Sequence, residues 1–342
     1  MPSNSGGLRK RWQLWLGTHR FFFGGRLMLA RDSPKGILSM AVMSASFWAW
    51  FRSITPLVSA HTALFGTASY ALTVALFTLV WTMDPGVLQS KRGMLSHAEV
   101  EAFCAEQRTC QVGGGIFLPL KWCRTCLIFR PLRASHCSRC DVCVLRFDHH
   151  CEFMGACIGG RNYRLFVCFI HSLCVLGSFT LITGVAAAYH AMPPPGTDPT
   201  GVCAALRPPS SRRYRSPHSS DRQWANDLMC WCATSCAHAP LHPAWLLLIL
   251  VFSGFVWLPF ARKHGWQILA NRTTNECTKL HAEDTAKGVA SPYSRGPWRN
   301  LVEACTAPRP PSALAPRDVL SCDEAAAAER VLAERGKGIK KE

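Results

Sequence analysis

Seven of the chain's 18 cysteines crowd into residues 123–157 of its 342. They read Cys123-x2-Cys126, then His136-Cys137, Cys140, Cys143, the run Asp148-His149-His150-Cys151, and Cys157. Thiolates and imidazoles at such spacings bind zinc, and six thiolates with two imidazoles complete two tetrahedral sites of three Cys and one His, a closed structural arrangement. One thiol, one imidazole and one carboxylate then remain within four residues: Cys151, His149 and Asp148. A thiol beside an imidazole is the minimum set for nucleophilic catalysis. Asp148 would orient and support His149, His149 would deprotonate Cys151, and Cys151 would attack an acyl donor. Two other readings use the same residues. In one, all of them are metal ligands or scaffolding of the zinc loops. In the other, the cluster is a nucleic-acid-binding finger aided by Arg124, Arg130, Arg133, Arg139 and Arg146, against which the nearness of apolar segments counts.

The elements that must position these groups are set by composition. Charged residues make up 17% and apolar ones 49%, with 12 Trp and 18 Phe, against a charge share of roughly 25% in soluble domains. No short repeat or sustained heptad is present, which excludes collagen-like, coiled-coil and wholly disordered chains. A net charge of +17 suits nucleic acid, an anionic membrane face or a phosphorylated ligand equally. Long stretches lack Asp, Glu, Lys and Arg. A bilayer core of about 30 Å takes about 20 apolar residues of helix, so spanning helices are expected near 35–55, 60–83, 165–190 and 243–261. Residues 21–31, with Phe21, Phe22, Phe23, Arg26, Leu27 and Met28, read as an aromatic, basic interfacial stretch.

Lys and Arg number 7 in residues 1–35, 11 in 84–164 and 14 in 262–342, against 5 in 191–242. Positive charge collects on the cytoplasmic face, so the termini and the cysteine-rich segment are expected there. The expected organisation is a cytoplasmic basic and aromatic segment (1–34), transmembrane helices 1 and 2 (35–83), the cytoplasmic cysteine-rich zinc domain (84–164), helix 3 (165–190), a lumenal Pro/Ser/Cys-containing loop (191–242), helix 4 (243–261) and a cytoplasmic C-terminal region (262–342). Cys203, Cys230, Cys232 and Cys236 then face an oxidising compartment, where disulfides form. The fold class is an α-helical polytopic membrane protein with four transmembrane helices and a two-zinc domain between the second and third.

These residues resemble the DHHC-type protein S-acyltransferases, the palmitoyltransferase family. The family's pattern is met by Cys123, Cys126, Arg130, Pro131, Arg133, His136, Cys137, Cys140, Cys143 and Asp148 to Cys151, followed by Cys157, Gly159, Asn162 and Phe166. Asp84-Pro85-Gly86 after the second span is similar to the family's Asp-Pro-Gly motif. Thr273-Thr274-Asn275-Glu276 after the fourth is similar to its Thr-Thr-x-Glu motif, and Tyr293, Gly296 and Asn300 resemble a further C-terminal element. The resemblance covers roughly residues 35–302.

The resemblance implies one zinc on Cys123, Cys126, His136 and Cys143, and a second on Cys137, Cys140, His150 and Cys157. It also implies Cys151 as acyl carrier, His149 as base, Thr273 and Thr274 near the catalytic loop, and Asn300 capping helix ends. The implied activity is ping-pong transfer of a long-chain acyl group from acyl-CoA to cysteines of membrane-associated proteins, within a Golgi or ER membrane and without nucleic acid. Arg161, Arg164, Lys121 and Lys91 are candidates for the CoA phosphates. The chain departs from the family after the nucleophile, where Glu152-Phe153-Met154-Gly155-Ala156 stands in place of Pro-Trp-Val-x-Asn. Glu152 brings a carboxylate beside Cys151, which opposes a thiolate unless a cation offsets it. The sequon Asn271-Arg272-Thr273 falls on the cytoplasmic side and is expected to be unused, Cys277 is expected to be a bystander, and residues 322–336 read as a short exposed helix.

Overall fold

The computed structural model describes residues 9–112, 115–190, 257–280, 282–312 and 320–339. Among them, three helices are long and apolar enough to cross a membrane: Ser33–Leu57, Ala60–Thr82 and Tyr163–Ala187. The regular helices are α1 (Ser33–Ile54), α2 (Ala60–Thr82), α3 (His97–Ala105) and α4 (Tyr163–His190), then α5 (Leu258–Ala270), α6 (Ala282–Ala286), α7 (Pro297–Thr306) and α8 (Cys322–Ile339). The 22 residues of α1, at about 1.5 Å each, extend about 33 Å. These helices match the first three expected spans. Of the fourth, expected over 243–261, the residues before 257 lie outside the described ones, as do the 191–242 loop and Cys203, Cys230, Cys232 and Cys236.

The chain divides into two compact units, residues 1–40, 74–169 and 262–342 in one, and 41–73 and 170–261 in the other. The second unit is held by aromatic packing between long helices. Trp50, Ile54 and Ala187 are buried together with Phe47 and Phe179 around them. Phe47 stacks flat on Tyr70 at 4.1 Å, while the Trp50 indole donates to the Thr183 hydroxyl at 2.9 Å and Tyr70 to Ser44 at 2.7 Å. In hydrocarbon each such polar tip needs an internal partner, so these bonds fix which helix faces meet.

The first unit carries the chemistry. Its strands pair as five separate antiparallel hairpins: β1 (Arg20–Phe22) with β2 (Leu27–Leu29), β3 (Arg108–Val112) with β4 (Ile116–Leu120), β5 (Trp122–Cys123) with β6 (Ile128–Phe129), β7 (Ser135–Cys137) with β8 (Val142–Val144), and β9 (His149–Cys151) with β10 (Ala156–Ile158). Isolated two-stranded hairpins are marginal alone, and this apolar core is small. Ala30, Val87, Val142, Val144 and Phe147 close around Cys137, Cys140 and Cys157. Two of the three Cys-x2-Cys turns, Cys123–Cys126 and Cys137–Cys140, bend the same way. Leu127 after Cys126 and Asp141 after Cys140 take positive φ (53° and 54°), and their amides donate back to Cys123 O at 2.8 Å and Cys137 O at 2.7 Å. Left-handed backbone is costly for residues with a Cβ, so these turns depend on the ligands beside them.

The terminal segments take definite structures, and one expectation for them is corrected. Residues 21–31, expected as an aromatic and basic interfacial stretch, fold back on themselves. They make the β1–β2 hairpin, from which Met28, with Trp15, packs on the cysteine-lined core, and the Thr18 amide donates to Cys140 O at 3.0 Å. Phe22 and Phe23 stay exposed at its tip. Residues 322–336 are not an exposed helix, since α8 buries Ala327 and Ala328 beside the 3-10 turn Arg11–Leu14. Arg11 pairs with Glu324 at 3.5 Å, and Arg330 donates to Gly93 O at 3.0 Å. The alanine run that suggested a featureless surface helix instead provides a flat face for close backbone approach.

Candidate active site

Two groups of donors could each hold a metal ion, Cys123, Cys126, His136 and Cys143 in one, and Cys137, Cys140, His150 and Cys157 in the other, with the donor atoms of each group within 4.8 Å of one another. In the second, His150 Nδ1 is 3.4, 3.6 and 3.7 Å from the sulfurs of Cys140, Cys157 and Cys137, and the Cys140 and Cys157 sulfurs are 3.4 Å apart. In the first, His136 Nδ1 is 3.4 Å from Cys126 Sγ and 3.9 Å from Cys143 Sγ. A tetrahedron with Zn–S near 2.3 Å and Zn–N near 2.0 Å has edges of about 3.5–3.8 Å, so both groups fit zinc. Each imidazole turns its outer nitrogen toward a carboxylate. His136 Nε2 is 3.6 Å from Asp141, and His150 Nε2 is 3.2 Å from Asp32, so a negative charge lies beside each imidazole. Hydrogen bonds to Cys137 and Cys140, together with burial, push the Cys157 thiol well above its usual range. A cation among these sulfurs would reverse that balance.

Asp148, His149 and Cys151 stay outside both donor groups and meet at the β9–β10 hairpin. Asp148 is 1% exposed, and its Oδ2 accepts from His149 Nδ1 at 2.6 Å. Burial disfavours its charge, yet bonds from His149 and Thr274 outweigh this and hold the carboxyl below its ordinary range. Burial likewise works against charging His149, but hydrogen bonds with Asp148 and Cys151 prevail and raise it to about 9. The ring packs edge-on against Phe166 at 5.3 Å and lies 6.0 Å from the His264 ring. The arrangement can keep an imidazole oriented, stabilise its protonated form and accept a proton from the neighbouring thiol.

One distant motif reaches the Asp148–His149 group directly, and the others brace the segments around it. Thr274 donates to Asp148 from its backbone N–H and from its hydroxyl, and the hydroxyl is also reached by Gln267 Nε2 at 3.2 Å. Two residues on, Glu276 accepts a bidentate pair from Arg133, at 2.7 and 2.8 Å, and closes its own turn by accepting from the Thr273 amide at 2.8 Å. The guanidinium also donates to Asn271 Oδ1 at 2.8 Å and lies over the Tyr293 ring at 4.4 Å. Asn300 donates to Leu269 O at 2.7 Å and Ser294 Oγ at 2.9 Å while accepting from the Arg295 amide. Asp84 accepts from the amides of Gly86 and Val87, and Asn162 joins Val80 O, Cys157 O and the Gly159 amide.

Sequence reasoning did not single out Gln267 or His264, it named Arg146 only as one arginine of a nucleic-acid-binding finger, and it treated Asn271 as part of an idle sequon. Asn271 instead accepts from both Arg133 and Arg146 and donates to Tyr293 O. Nothing in local spacing marks these residues. Of the four side chains offered for CoA phosphates, Arg161 is engaged with Asp84 at 3.3 Å and with Pro310 O, and Arg164 with Ala307 O. Lys91 and Lys121 are exposed.

Residues 116–281 match the family model described as DHHC palmitoyltransferase. Palmitoyltransferase ZDHHC18-B of Danio rerio is 30% identical over 339 residues, which cover 92% of this chain and 77% of that protein. The chain belongs to the DHHC palmitoyltransferase family. Palmitoyltransferase ZDHHC14 of Danio rerio is 29% identical over 92% of this chain, which spans 62% of that relative's length. Palmitoyltransferase ZDHHC18 of Homo sapiens is 29% identical over 92% of the chain and 76% of its own length. The matched segment contains both Cys3His groups, the Asp148–Cys151 run and the Thr-Thr-Asn-Glu motif of this family member.

Proposed function

We propose that this chain is a protein S-acyltransferase that moves a long-chain acyl group from acyl-CoA to protein cysteines through a thioester on Cys151. The reading is carried by the run of hydrogen bonds from Thr274 through Asp148 to His149, beside Cys151 and between two Cys3His groups. In the first step the Cys151 thiol gives its proton to His149, and the sulfur attacks the acyl-CoA thioester carbonyl. The bond to the CoA sulfur breaks, and His149 returns the proton to the leaving thiolate. In the second step His149 takes the proton of a substrate thiol, whose sulfur attacks the thioester carbonyl on Cys151; the bond to the Cys151 sulfur breaks, and His149 returns the proton to the leaving Cys151 thiolate. Thioester exchange is close to energy-neutral, so the chain supplies proximity and thiolate activation. Asp148 keeps the imidazole oriented throughout and stabilises its charged form.

Zinc, when bound, supplies structural closure of the two donor groups. Cys123, Cys126, His136 and Cys143 hold one ion, and Cys137, Cys140, His150 and Cys157 the other. With that closure the hairpin carrying Cys151 has a rigid base despite its small core.

The site faces the cytoplasm of a Golgi or ER membrane, with a fourth span over 243–261 and both termini on the cytoplasmic side. The excess of Lys and Arg in 84–164 and 262–342 supports this orientation. Membrane-associated proteins with cytoplasmic cysteines are the acceptors. Nucleic acid is left out of this reading, because three of the five arginines that could have formed a phosphate-binding face, Arg133, Arg139 and Arg146, are engaged by Glu276, Asp32 with Glu152, and Asn271. The test is autoacylation of the detergent-solubilised full chain with labelled palmitoyl-CoA, with bound zinc measured in parallel. Wild type takes up hydroxylamine-sensitive label, and Cys151→Ser takes up none while keeping its zinc. Absence of label on wild type with zinc retained would leave the chain a zinc scaffold rather than an acyltransferase.

A further inference from the structure

We propose that Asp32, Lys35 and Arg139 form, with Glu152, an electrostatic latch that seats the tip of the nucleophile hairpin on the start of α1 and thereby positions Cys151. The inference rests on Cys151 being the acyl carrier. Glu152 follows Cys151 directly and begins the turn that joins β9 to β10. One of its carboxylate oxygens binds Lys35 Nζ, and the other lies 2.6 Å from Arg139. Arg139 in turn reaches Asp32 Oδ2 at 3.2 Å, and the same oxygen is 3.2 Å from His150 Nε2. Two cations and two anions thus alternate around the tip with no net charge. The carboxylate that stands where the family carries proline is offset by two cations at once.

Charges that are about half exposed contribute little as isolated pairs. Here they lie over a buried backbone contact that fixes their geometry. Met154, in the same turn, is 1% exposed. Gly155 adopts φ +61°, and a Cβ there would collide with the Asp32 carbonyl. From the other side, a Cβ on Gly36 would come within 2.6 Å of Met154 O and 2.9 Å of the Trp81 indole nitrogen. Tip and helix start therefore approach at the distance glycine permits, and the four charges secure the same contact at its rim. A shift of about 1 Å in a reacting atom costs on the order of a hundredfold in rate, which is how a latch one residue from the thiol acts on turnover.

The experiment measures initial acylation rates against palmitoyl-CoA concentration for the full chain in detergent, with bound zinc and melting temperature as controls. The variants are Cys151→Ser, Glu152→Gln, Lys35→Glu and the conservative Lys35→Arg. Glu152→Gln is expected to lower kcat about fivefold and Lys35→Glu about tenfold, with KM, zinc and melting temperature unchanged. Lys35→Arg keeps the cation and with it at least half of the wild-type rate, which a lysine needed for its identity alone would not allow. Wild-type kcat in Glu152→Gln overturns the latch. A fall in KM at constant kcat also overturns it, because Glu152 would then be competing for cations that bind CoA phosphates. A Lys35→Arg variant as slow as Lys35→Glu overturns it as well. Label on Cys151→Ser would sink the acyl-carrier reading itself, and the latch with it.

Discussion

Thr274 donates to both oxygens of Asp148, its backbone N–H to Oδ1 at 2.7 Å and its hydroxyl to Oδ2 at 2.9 Å. The second oxygen is also the one bonded to His149, so the position of the imidazole depends on a threonine 126 residues away in sequence. A carboxylate that receives several donors stays ionised when buried, and a fully ionised Asp148 is what supports a protonated His149.

Thr274→Val keeps the shape and the backbone donor but removes the hydroxyl. A hydrogen bond to a charged group contributes about 1.5–3 kcal/mol, so acylation kcat is expected to fall about tenfold or more at unchanged KM and unchanged zinc. Single-turnover labelling with palmitoyl-CoA measures this, and an unaltered kcat would show that Thr274 serves folding alone.

The Arg133–Glu276 pair is bidentate and almost completely buried, with side-chain exposures of 11% and 2%. Glu276→Ala leaves the guanidinium desolvated without its carboxylate, which costs about 3–5 kcal/mol. The melting temperature of Glu276→Ala should drop well below that of wild type, whereas replacing both partners with Met should restore part of it. A double variant less stable than Glu276→Ala contradicts this account.

His150 reaches its three sulfurs through Nδ1, and His136 reaches those of Cys126 and Cys143 through Nδ1, so the two clusters should fail separately. His136→Ala and His150→Ala are each expected to reduce bound zinc from two ions per chain to one, while chelation of both unfolds the hairpins. Inductively coupled plasma measurement of the purified variants gives the count. Retention of two ions in either variant would remove that histidine from the ligand set.

His19 is buried, and desolvation is the main cause of its pKa falling from 6.5 to about 4. The folded state therefore holds this imidazole neutral, while the unfolded chain binds its proton near pH 6.5. Stability from the neutral form is complete above pH 6.5 and is lost as the pH falls from 6.5 toward 4, in total at most about 3 kcal/mol. Chemical denaturation between pH 7 and pH 5 should show a downward slope that is shallower in His19→Gln. Identical slopes in the two proteins would show that other groups govern the acid limit.

The zinc donors and the Asp148–Cys151 run were legible from residue types alone. They lie within 35 residues, and their spacings, Cys-x2-Cys and Asp-His-His-Cys, are those that a tight backbone turn converts directly into geometry. The three described long helices were legible as well, since hydrocarbon demands about 20 apolar residues whatever surrounds them. The packing of the terminal segments was not legible, and 322–336 was misread as exposed, because a run of alanines or aromatics states what it can bury but not what it will meet. Ala327 and Ala328 are buried beside the turn of Arg11, and Met28 joins a core that exists once Cys137, Cys140 and Cys157 are gathered. Tertiary structure alone decided that Thr274 holds Asp148, that Arg133 takes Glu276 across 143 residues, and that Lys35 meets Glu152 across 117. Such partners leave no periodic trace in a chain. A side-chain bond depends on which polar atoms are brought within about 3 Å of one another, and that is set by the packing of the whole unit rather than by any residue's neighbours in sequence.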